Sequence, residues 1–381
     1  MIRSDYTGGN RIDLLCSGAE YFPALLAAIG AARAQIFLET YIYADDAIAQ
    51  KVTDALAAAA RRGVAVHVVI DGFGARDMPA RFHRTLADAG VPVLAYRPPL
   101  WWRPIRGLRR MHRKIAMIDG EIAFVGGINI IDDWNAPYEV PPRHDYAVRV
   151  AGPVVAQVQQ GVRRLWSVVA LAALKRRKLP AAIPPPVDAG SAKVRFVTRD
   201  NLLYRRAIEA SYLRAIGRAR TDIVIAVAYF LPSRRFFRVL RRAADRGVRI
   251  RIVMQGPGDH PLLQRATQFL YRRLLDMGVT IVEYHKSFLH AKVAVIDTAW
   301  ATVGSSNLDP FSLMLSREGN IETTDARFAM TLRASLDAAI RDGGQQVTGD
   351  DLARLTWYTR AMQWASYRFA RNVLGWLKLG R

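Results

Sequence analysis

The sequence predicts an α/β protein built from two pseudo-symmetric α/β/α sandwich halves with a candidate site in the cleft between them. The first observation is that the pattern H-x-K-x4-D occurs twice, beginning at His112 and at His290. Each copy leads into a turn of small residues that ends in Asn, at Asn129 and Asn307. The two His are 178 residues apart (290 − 112), and so are the two Asn (307 − 129). The chain therefore carries an internal duplication.

The second observation is that the duplication extends beyond the motifs. The segment "AIGAARAQIFLETYIY" from Ala28 matches "AIGRARTDIVIAVAYF" from Ala215, and "RRGVAVHVVIDGFG" from Arg61 matches "DRGVRIRIVMQGPG" from Asp245. Each half thus reads as strand, helix, strand, helix and then a hairpin that carries the motif. Alternating strands and helices predict a sheet covered on both faces.

The boundaries follow from composition. The first half spans residues 1–178, and a Pro-rich linker that cannot continue a helix spans 179–193. The second half spans residues 194–350, and a basic, Trp-rich amphipathic tail occupies 351–381. The segment "LWSVVALAALK" from Leu165 is too short to span a bilayer and suits a helix packed between the halves.

Each motif is predicted to lie on a strand and its hairpin. The runs "KIAMI" and "KVAVI" are apolar and partly β-branched, as in buried strands. His and Lys two positions apart point to the same face of a strand. A tight turn at Asp119-Gly120, and its counterpart at Asp297, then returns each Asn toward its own His-Lys pair.

Two His, two Lys and two Asn suit phosphoryl transfer. One imidazole would attack phosphorus to form a phosphohistidine, while the other would protonate the leaving group. Lys and Asn would donate to the non-bridging oxygens. The sequence shows no cluster with metal-ligand spacing, so we expect neither metal nor cofactor. The predicted catalytic residues are His112, Lys114, Asp119, His290, Lys292 and Asp297, and the predicted phosphate-binding residues are Asn129, Asn307 and Ser305.

With these motifs the chain resembles the phospholipase D superfamily. The segments "GNRIDLLCSGAEYFPALLAAI", "IFLETYIYADD", "DGFGA", "VGGINI" and "VGSSNLDPFSLMLSREGN" are similar to its bacterial cardiolipin synthase branch. The resemblance covers roughly residues 9–325 and implies a phospholipase D-like fold.

The resemblance also implies roles for individual residues. An acidic residue downstream of each motif would orient the His of that motif, and the matching positions are Asp145 and Glu318. Related synthases more often read "LNxE" where this chain reads "LSRE", which leaves Glu322 as the alternative to Glu318. The resemblance further assigns attack on phosphorus to His112 and acid–base duty to His290.

The basic charge predicts an anionic partner. The formal net charge is +22, and it is concentrated in two segments that also hold Trp. One is an insertion before His112, since Tyr96 precedes His112 by 16 residues whereas Tyr284 precedes His290 by 6. The other is the tail. Trp with basic residues is typical of a bilayer interface, and the predicted lipid contacts are Trp101, Trp102, Arg103, Arg106, Arg109, Arg110, Trp357, Trp364 and Trp376. The alternatives are a solvent loop for the insertion and a docked helix for the tail.

Three functional classes follow. The first is a phosphatidyltransferase that condenses two phosphatidylglycerol molecules to cardiolipin and glycerol. The others are a hydrolase of the phospholipase D type and a nuclease of the same superfamily. Leucines beside the Trp residues favour lipid over nucleic acid, and no obligate protein partner is evident.

The sequence also indicates where the chain works. The single cysteine, Cys16, indicates a reducing compartment, and we read no signal peptide at residues 1–23. We therefore expect a peripheral protein on the cytoplasmic face of the bacterial inner membrane. Glu39 and Tyr41 end a predicted strand near the cleft, where they would either contact headgroup hydroxyls or form a buried polar pair.

Overall fold

The computed structural model describes residues 5–97, 109–136, 141–174, 179–200, 204–256, 258, 260–309 and 316–379. Side chains within residues 373–379 are outside this description. The first half comprises β1 (Thr7–Cys16), α1 (Ser17–Ala31), β2 (Gln35–Thr40), α2 (Ala47–Arg61), β3 (Ala65–Asp71), α3 (Ala80–Asp88), β4 (Val93–Tyr96), β5 (Ile115–Ile118), β6 (Ile122–Gly126), β7 (Arg143–His144), β8 (Tyr146–Ala151) and α4 (Val154–Ala172).

The second half follows the same order. It comprises β9 (Ala192–Arg199), α5 (Ala207–Arg218), β10 (Asp222–Val227), α6 (Arg234–Asp245), β11 (Arg249–Gln255), α7 (Pro261–Gln268), α8 (Tyr271–Leu275), β12 (Thr280–Tyr284), β13 (Phe288–Leu289), β14 (Lys292–Ile296), β15 (Trp300–Gly304), β16 (Glu318–Thr323), α9 (Ala326–Gly343) and β17 (Gly344–Val347). Two further helices, α10 (Gly349–Ala353) and α11 (Trp357–Leu379), complete the chain.

Several helices begin at a side chain that satisfies an N–H of the first turn. Asp46, Ser233 and Asp325 each accept a hydrogen bond from the backbone N–H three residues further on. Such caps stabilise a helix by about 1 kcal/mol. These local signals fix where α2, α6 and α9 start.

Fifteen strands form one mixed sheet in the order β17-β12-β11-β10-β14-β15-β16-β9-β1-β8-β6-β5-β2-β3-β4. The antiparallel pair of β1 and β9 is the seam between the halves. On either side of this seam the strands occur in the same order, so that β14 and β5, which follow the two motif His, occupy equivalent places. The duplicated sequence has therefore produced a pseudo-symmetric molecule whose main sheet is continuous across both halves, while β7 and β13 form a separate parallel pair.

The sheet is covered on both faces, as predicted. Residues of β2 alternate between two cores, with Ile36 and Leu38 packed in the layer that holds α1–α3 and Phe37 in the layer that holds α4. In the second half the outer layer holds α5–α8. Helices α4 and α9 share the central core with residues from both halves. The predicted helix around Leu165 is confirmed and packs in this central layer.

Three expectations about organisation are corrected. Each half has an additional strand between the last helix before the hairpin and the hairpin itself. These strands, β4 and β12, are short and lie outside the repeated segments found in the sequence. Strand β9 begins at Ala192, inside the predicted linker. The predicted boundary at 350/351 falls within α10. Among the described residues, no helix combines the length and hydropathy needed to cross a membrane.

Candidate active site

The two motif histidines lie just before β5 and β14. The expectation that His and Lys of each motif share a strand is corrected, because β5 begins at Ile115 and β14 at Lys292. In the first half His112 and Lys114 point to one side of the chain, and Arg113 between them pairs with Glu39 on the other. The backbone N–H of His112 donates to the carbonyl of Arg317 at 2.9 Å, and that of His290 donates to the carbonyl of His144 at 2.9 Å. Each histidine is thus attached by its backbone to the opposite half of the molecule.

His112 is paired with Glu318. Its Nδ1 lies 3.2 Å from Glu318 Oε2 and 3.1 Å from the carbonyl oxygen of Ser305. The Glu318 side chain is fully buried, and the Ser305 hydroxyl donates to its Oε2 at 2.5 Å. Two acceptors at Nδ1 fix the proton on that nitrogen, which leaves Nε2 with a lone pair.

His290 is paired with Asp145. Its Nδ1 lies 2.6 Å from Asp145 Oδ2, and Lys292 Nζ lies 3.7 Å from the same oxygen. The backbone N–H of Tyr146 donates to Asp145 Oδ1 at 2.7 Å. Burial alone would raise the pKa of Asp145, but the positive charge of Lys292 and the contact with His290 outweigh it, so this pKa is lowered. Asp145 is therefore held as a carboxylate beside the imidazole.

The pairing is crossed between the halves, which corrects the expectation that each acid orients the His of its own motif. Asp145 follows the first motif yet contacts His290, whereas Glu318 follows the second motif and contacts His112. The physical reason is that β8 and β16, which begin beside these acids, lie on either side of the seam between the halves. The alternative acid, Glu322, instead pairs with Arg195 at 2.5 Å.

Both lysines are buried within the site. Lys114 Nζ donates to the His112 carbonyl at 2.7 Å, and Lys292 Nζ donates to the His290 carbonyl. Burial lowers the pKa of Lys114 to about 7, and the charge of Lys292 acts in the same direction. The two half-sites are thus close enough for their charges to interact.

Burial also lowers the pKa of both histidines. For His290 the pKa falls to about 3, with Lys292 reinforcing the effect of burial and Asp145 opposing it. For His112 burial is again the largest cause, the charge of Lys114 adds to it, and Glu318 opposes it. In the absence of an anionic ligand both imidazoles are neutral near pH 7.

The predicted phosphate-binding residues divide into two groups. Asn129 and Asn307 both follow the hairpins and are largely buried. Asn129 Oδ1 accepts from the backbone N–H of Ile42 at 3.0 Å, while Asn307 Oδ1 has no hydrogen-bond partner among the described residues. The prediction for Ser305 is corrected, because its hydroxyl donates to Glu318 and accepts from the backbone N–H of Gly319.

Asp119 and Asp297 lie away from the histidines, at the far ends of β5 and β14. The Asp119 carboxylate accepts the backbone N–H groups of residues 33, 34 and 35 at 2.7–2.8 Å. Asp297 makes the same contacts to residues 220, 221 and 222. The expectation that they are catalytic is corrected: each joins its hairpin to the start of the neighbouring strand.

A second pair of positioning residues was not singled out from the sequence. Asp71, at the end of β3, accepts the N–H of Met111 at 2.6 Å. Gln255, at the equivalent end of β11, accepts the N–H of Leu289. Each therefore holds the residue before a motif His. The aligned segments "VVIDGFG" and "RIVMQGPG" carried the signal, because they place a polar residue at the same point after an apolar strand.

Tyr41 and Glu39 have different environments. The Tyr41 ring lies 4.9 Å from the His112 ring, centroid to centroid, and Lys114 Nζ lies 5.2 Å from the Tyr41 centroid. Tyr41 therefore forms a wall of the site beside His112. Glu39 is the buried partner of Arg113. The expectation that Glu39 belongs to a buried polar pair is therefore confirmed, but its partner is Arg113 and not Tyr41.

The predicted lipid contacts are only partly described. Trp101, Trp102, Arg103 and Arg106 lie outside the described residues, as does the side chain of Trp376. Arg109 and Arg110 are half-buried, and the guanidinium of Arg110 lies 4.3 Å from the centroid of Phe73. Trp357 and Trp364 are exposed on α11. Contact with lipid stays a prediction for all of them.

Comparisons with known proteins agree with this geometry. The family model described as "Cardiolipin synthase, PLD-like domain" matches residues 25–166 and 212–340. Cardiolipin synthase B of Escherichia coli (strain K12) is 39% identical over 391 residues, covering 99% of this chain and 92% of that protein. Cardiolipin synthase A of Pseudomonas entomophila (strain L48) is 29% identical, covering 96% of this chain and 74% of that protein.

A solved structure shows the same fold. Phosphatidylserine synthase of Haemophilus influenzae Rd KW20 matches with a TM-score of 0.73 and 13% identity, covering 97% of each chain. The matched family model covers both motifs and most of both halves. The crossed His–carboxylate pairs lie within these matched segments. The chain therefore belongs to the cardiolipin synthase family of phospholipase D-like proteins.

Proposed function

We propose that this protein is a phosphatidyltransferase that condenses two phosphatidylglycerol molecules to cardiolipin and glycerol. The observation that carries the proposal is the pair of buried His–carboxylate couples, His112 with Glu318 and His290 with Asp145, contributed jointly by the two halves. The relative that is 39% identical over 99% of this chain bears the name cardiolipin synthase B. Together they support phosphoryl chemistry on a phospholipid.

In the first step, Nε2 of His112 attacks the phosphorus of one phosphatidylglycerol. The P–N bond forms, the P–O bond to the glycerol headgroup breaks, and protonated His290 gives its proton to the departing oxygen. In the second step, His290 takes the proton from a hydroxyl of another phosphatidylglycerol. That oxygen attacks phosphorus, the P–N bond breaks, and cardiolipin leaves with His112 restored.

The geometry around His290 supports its acid–base role. The 2.6 Å contact with Asp145 is the shorter of the two His–carboxylate contacts, and a carboxylate at Nδ1 stabilises the imidazolium that forms during proton transfer. Burial holds the pKa of His290 at about 3 in the empty site. The negative phosphodiester of the substrate raises it, because an adjacent anion favours the charged form.

The surrounding donors stabilise the transition state in this scheme. Lys114 and Lys292 supply positive charge beside the non-bridging oxygens, and Asn129 and Asn307 supply amide donors. Asp145 and Glu318 hold the imidazoles in the required tautomer. The assignment of the nucleophile to His112 follows the family resemblance and the basic insertion that precedes this residue in the chain.

We place the protein at the membrane surface that contains its substrate. Family membership implies a phospholipid substrate, and the exposed Trp357 and Trp364 would contact the interface. We also propose that this surface is the cytoplasmic face of the membrane. This part of the proposal rests on the sequence, because a single cysteine suits a reducing compartment.

The decisive experiment incubates purified protein with phosphatidylglycerol vesicles in chelator and separates the lipids. Cardiolipin and free glycerol in equal amounts are expected, and a His112→Ala variant should form neither. Phosphatidic acid as the sole product would instead indicate a hydrolase. Cleavage of DNA without lipid turnover would overturn the lipid assignment.

A further inference from the structure

A cavity separate from the catalytic residues lies between α4, β9 and α5. Its volume is about 460 Å³, and neither the two motif histidines nor the two lysines line it. Phe196 and Gly161 form part of its wall. It is large enough for a phosphate group with a short organic substituent.

The lining of this cavity carries a net positive charge. Five arginines face it, against the two carboxylates of Asp5 and Asp200; the arginines are Arg113, Arg164, Arg195, Arg214 and Arg317. The exposed fraction of the side chain is 43% at Arg164, 16% at Arg195 and 4% at Arg113. The cavity therefore runs from an open mouth at Arg164 to a buried floor at Arg113.

The positive charge is incompletely neutralised by the protein. Arg195 pairs with Glu322 at 2.5 Å, and Arg164 lies 3.8 Å from Asp200. Arg113 pairs with Glu39, yet its Nε is buried with no hydrogen-bond partner within the described part of the chain. Arg317 donates to the Tyr96 hydroxyl at 3.3 Å, and Arg214 donates to the Ser211 hydroxyl at 3.3 Å. Among the described residues neither Arg214 nor Arg317 forms an ion pair.

We propose that this cavity is a binding site for a tetrahedral phosphate group, carried by a phospholipid headgroup or by free phosphate. Guanidinium forks match phosphate oxygens in pairs, and such charge-assisted bonds are strong where water is partly excluded. A bound phosphate would satisfy the buried Nε of Arg113 and separate the like charges of Arg113 and Arg317. Arg113 directly follows His112 in the chain and points to the other side, so the bound phosphate would lie on the side of this segment away from the His112 side chain.

The test uses tungstate, a heavy tetrahedral oxyanion, soaked into crystals of the full-length protein. Anomalous density is expected in the cavity, in addition to any at the two histidines. The variant Arg164→Gln/Arg214→Gln should lose the density in the cavity and keep any density at the two histidines. Its matched control is Arg238→Gln/Arg241→Gln, which removes two exposed charges from α6 and should retain both. Because Arg214 is exposed and Arg164 is 43% exposed, we expect the variant to fold.

Titration in solution identifies the source of the phosphate group. Displacement of tungstate by inorganic phosphate but not by dihexanoyl-phosphatidylglycerol would indicate free phosphate, and displacement by the lipid would indicate a headgroup. Affinity for the displacing ligand should fall by about tenfold or more in the Arg164→Gln/Arg214→Gln variant, since the variant loses two charged donors to the phosphate. Absence of cavity density in the wild type, or its persistence in this variant, would refute the site. Neither result bears on whether the protein makes cardiolipin.

Discussion

At the residue scale, the main result is that each histidine is oriented by an acid from the other half. His112 with Glu318 and His290 with Asp145 form two couples that exist only when both halves are assembled. The arrangement makes the halves interdependent, because neither half contains an oriented imidazole by itself. The duplicated motif therefore does not represent two independent sites.

The crossed pairing predicts which variants share a spectroscopic signature. A proton held between His290 Nδ1 and Asp145 Oδ2, 2.6 Å apart, should give a low-field proton resonance, since short charge-assisted bonds deshield the proton. This resonance should vanish in Asp145→Asn and in His290→Ala. It should persist in His112→Ala. If the resonance were lost in His112→Ala and retained in His290→Ala, Asp145 would be paired with His112, the histidine of its own motif.

The same variants should separate the two chemical roles. With phosphatidylglycerol as donor, Asp145→Asn should lower turnover by about 10²- to 10⁴-fold, because His290 loses the carboxylate that stabilises its protonated form. A donor with a p-nitrophenol leaving group needs little protonation, so it should recover most of the rate of phosphoenzyme formation. Glu318→Gln should slow both donors alike. If the p-nitrophenol donor instead recovered the rate of phosphoenzyme formation in Glu318→Gln, His290 would be the nucleophile and His112 the acid–base residue.

Lys114 predicts an alkaline limit on activity. Its pKa is lowered to about 7, so the ammonium is present below that pH and is lost as the pH rises through it. Because kcat/KM reports the free enzyme, kcat/KM for a soluble short-chain donor should fall above about pH 7. Lys114→Arg stays cationic and should shift this limb to higher pH, at a lower maximum. An unchanged limb in Lys114→Arg would assign it to another group.

At the element scale, the hairpins were predictable and the contacts between halves were not. Apolar runs after Lys114 and Lys292 and the turns at Asp119 and Asp297 are local patterns, and all four strands of the two hairpins are confirmed. Which acid meets which histidine depends on the seam of β1 with β9. That seam joins strands far apart in the chain, so no local pattern encodes it.

The misassigned aspartates show the same limit. The invariant spacing within the two motif copies grouped Asp119 with His112 and Lys114, although strand geometry places it about five residues, or roughly 17 Å, from Lys114. Its carboxylate instead satisfies three backbone donors at the start of β2. The residues that do position the loop before His112, such as Asp71, lie outside the motif. Motif membership therefore predicted the site better than it predicted individual roles.

Asp119 should accordingly contribute to stability rather than to chemistry. Asp119→Ala removes three hydrogen bonds to a carboxylate and replaces a residue with φ of 52°. We expect a loss of about 2–3 kcal/mol in the free energy of unfolding, measured by urea denaturation. Asp119→Asn, which keeps one acceptor oxygen, should lose less. A folded Asp119→Ala variant with normal stability and no turnover would return Asp119 to the catalytic set.

At the scale of the whole molecule, the tail helix α11 is both docked and exposed. Tyr367 stacks on Phe269, the residue directly after α7, with ring centroids 4.7 Å apart, and Ala370 is fully buried in the core of the second half. Away from these contacts α11 exposes Trp357 and Trp364, with exposed fractions of 80% and 54%. The docked-helix interpretation is therefore confirmed for one part of the helix, and the membrane-interface interpretation stays a prediction for the exposed part. Deleting the tail would uncover the core, so point variants are the sharper test.

The exposed face of α11 predicts how the protein attaches to membranes. Trp357→Ser/Trp364→Ser should weaken binding to vesicles containing phosphatidylglycerol by about tenfold or more, because two indoles at the interface contribute on the order of 2 kcal/mol. Turnover of a short-chain soluble donor should be unchanged. The control Leu171→Ser/Val187→Ser removes two apolar side chains that are 75% and 88% exposed elsewhere, and it should bind normally.

We expect charge to contribute to this attachment as well. With a net charge of +22, wild-type binding should rise with the fraction of anionic lipid and fall with salt, since each basic residue near such a surface contributes about 1 kcal/mol that ions screen. The Trp variant should keep this salt dependence at a lower affinity, because its arginines are intact. Equal binding to neutral and anionic vesicles would exclude the electrostatic contribution. An equal loss in the Leu171→Ser/Val187→Ser control would show that α11 is not the attaching face.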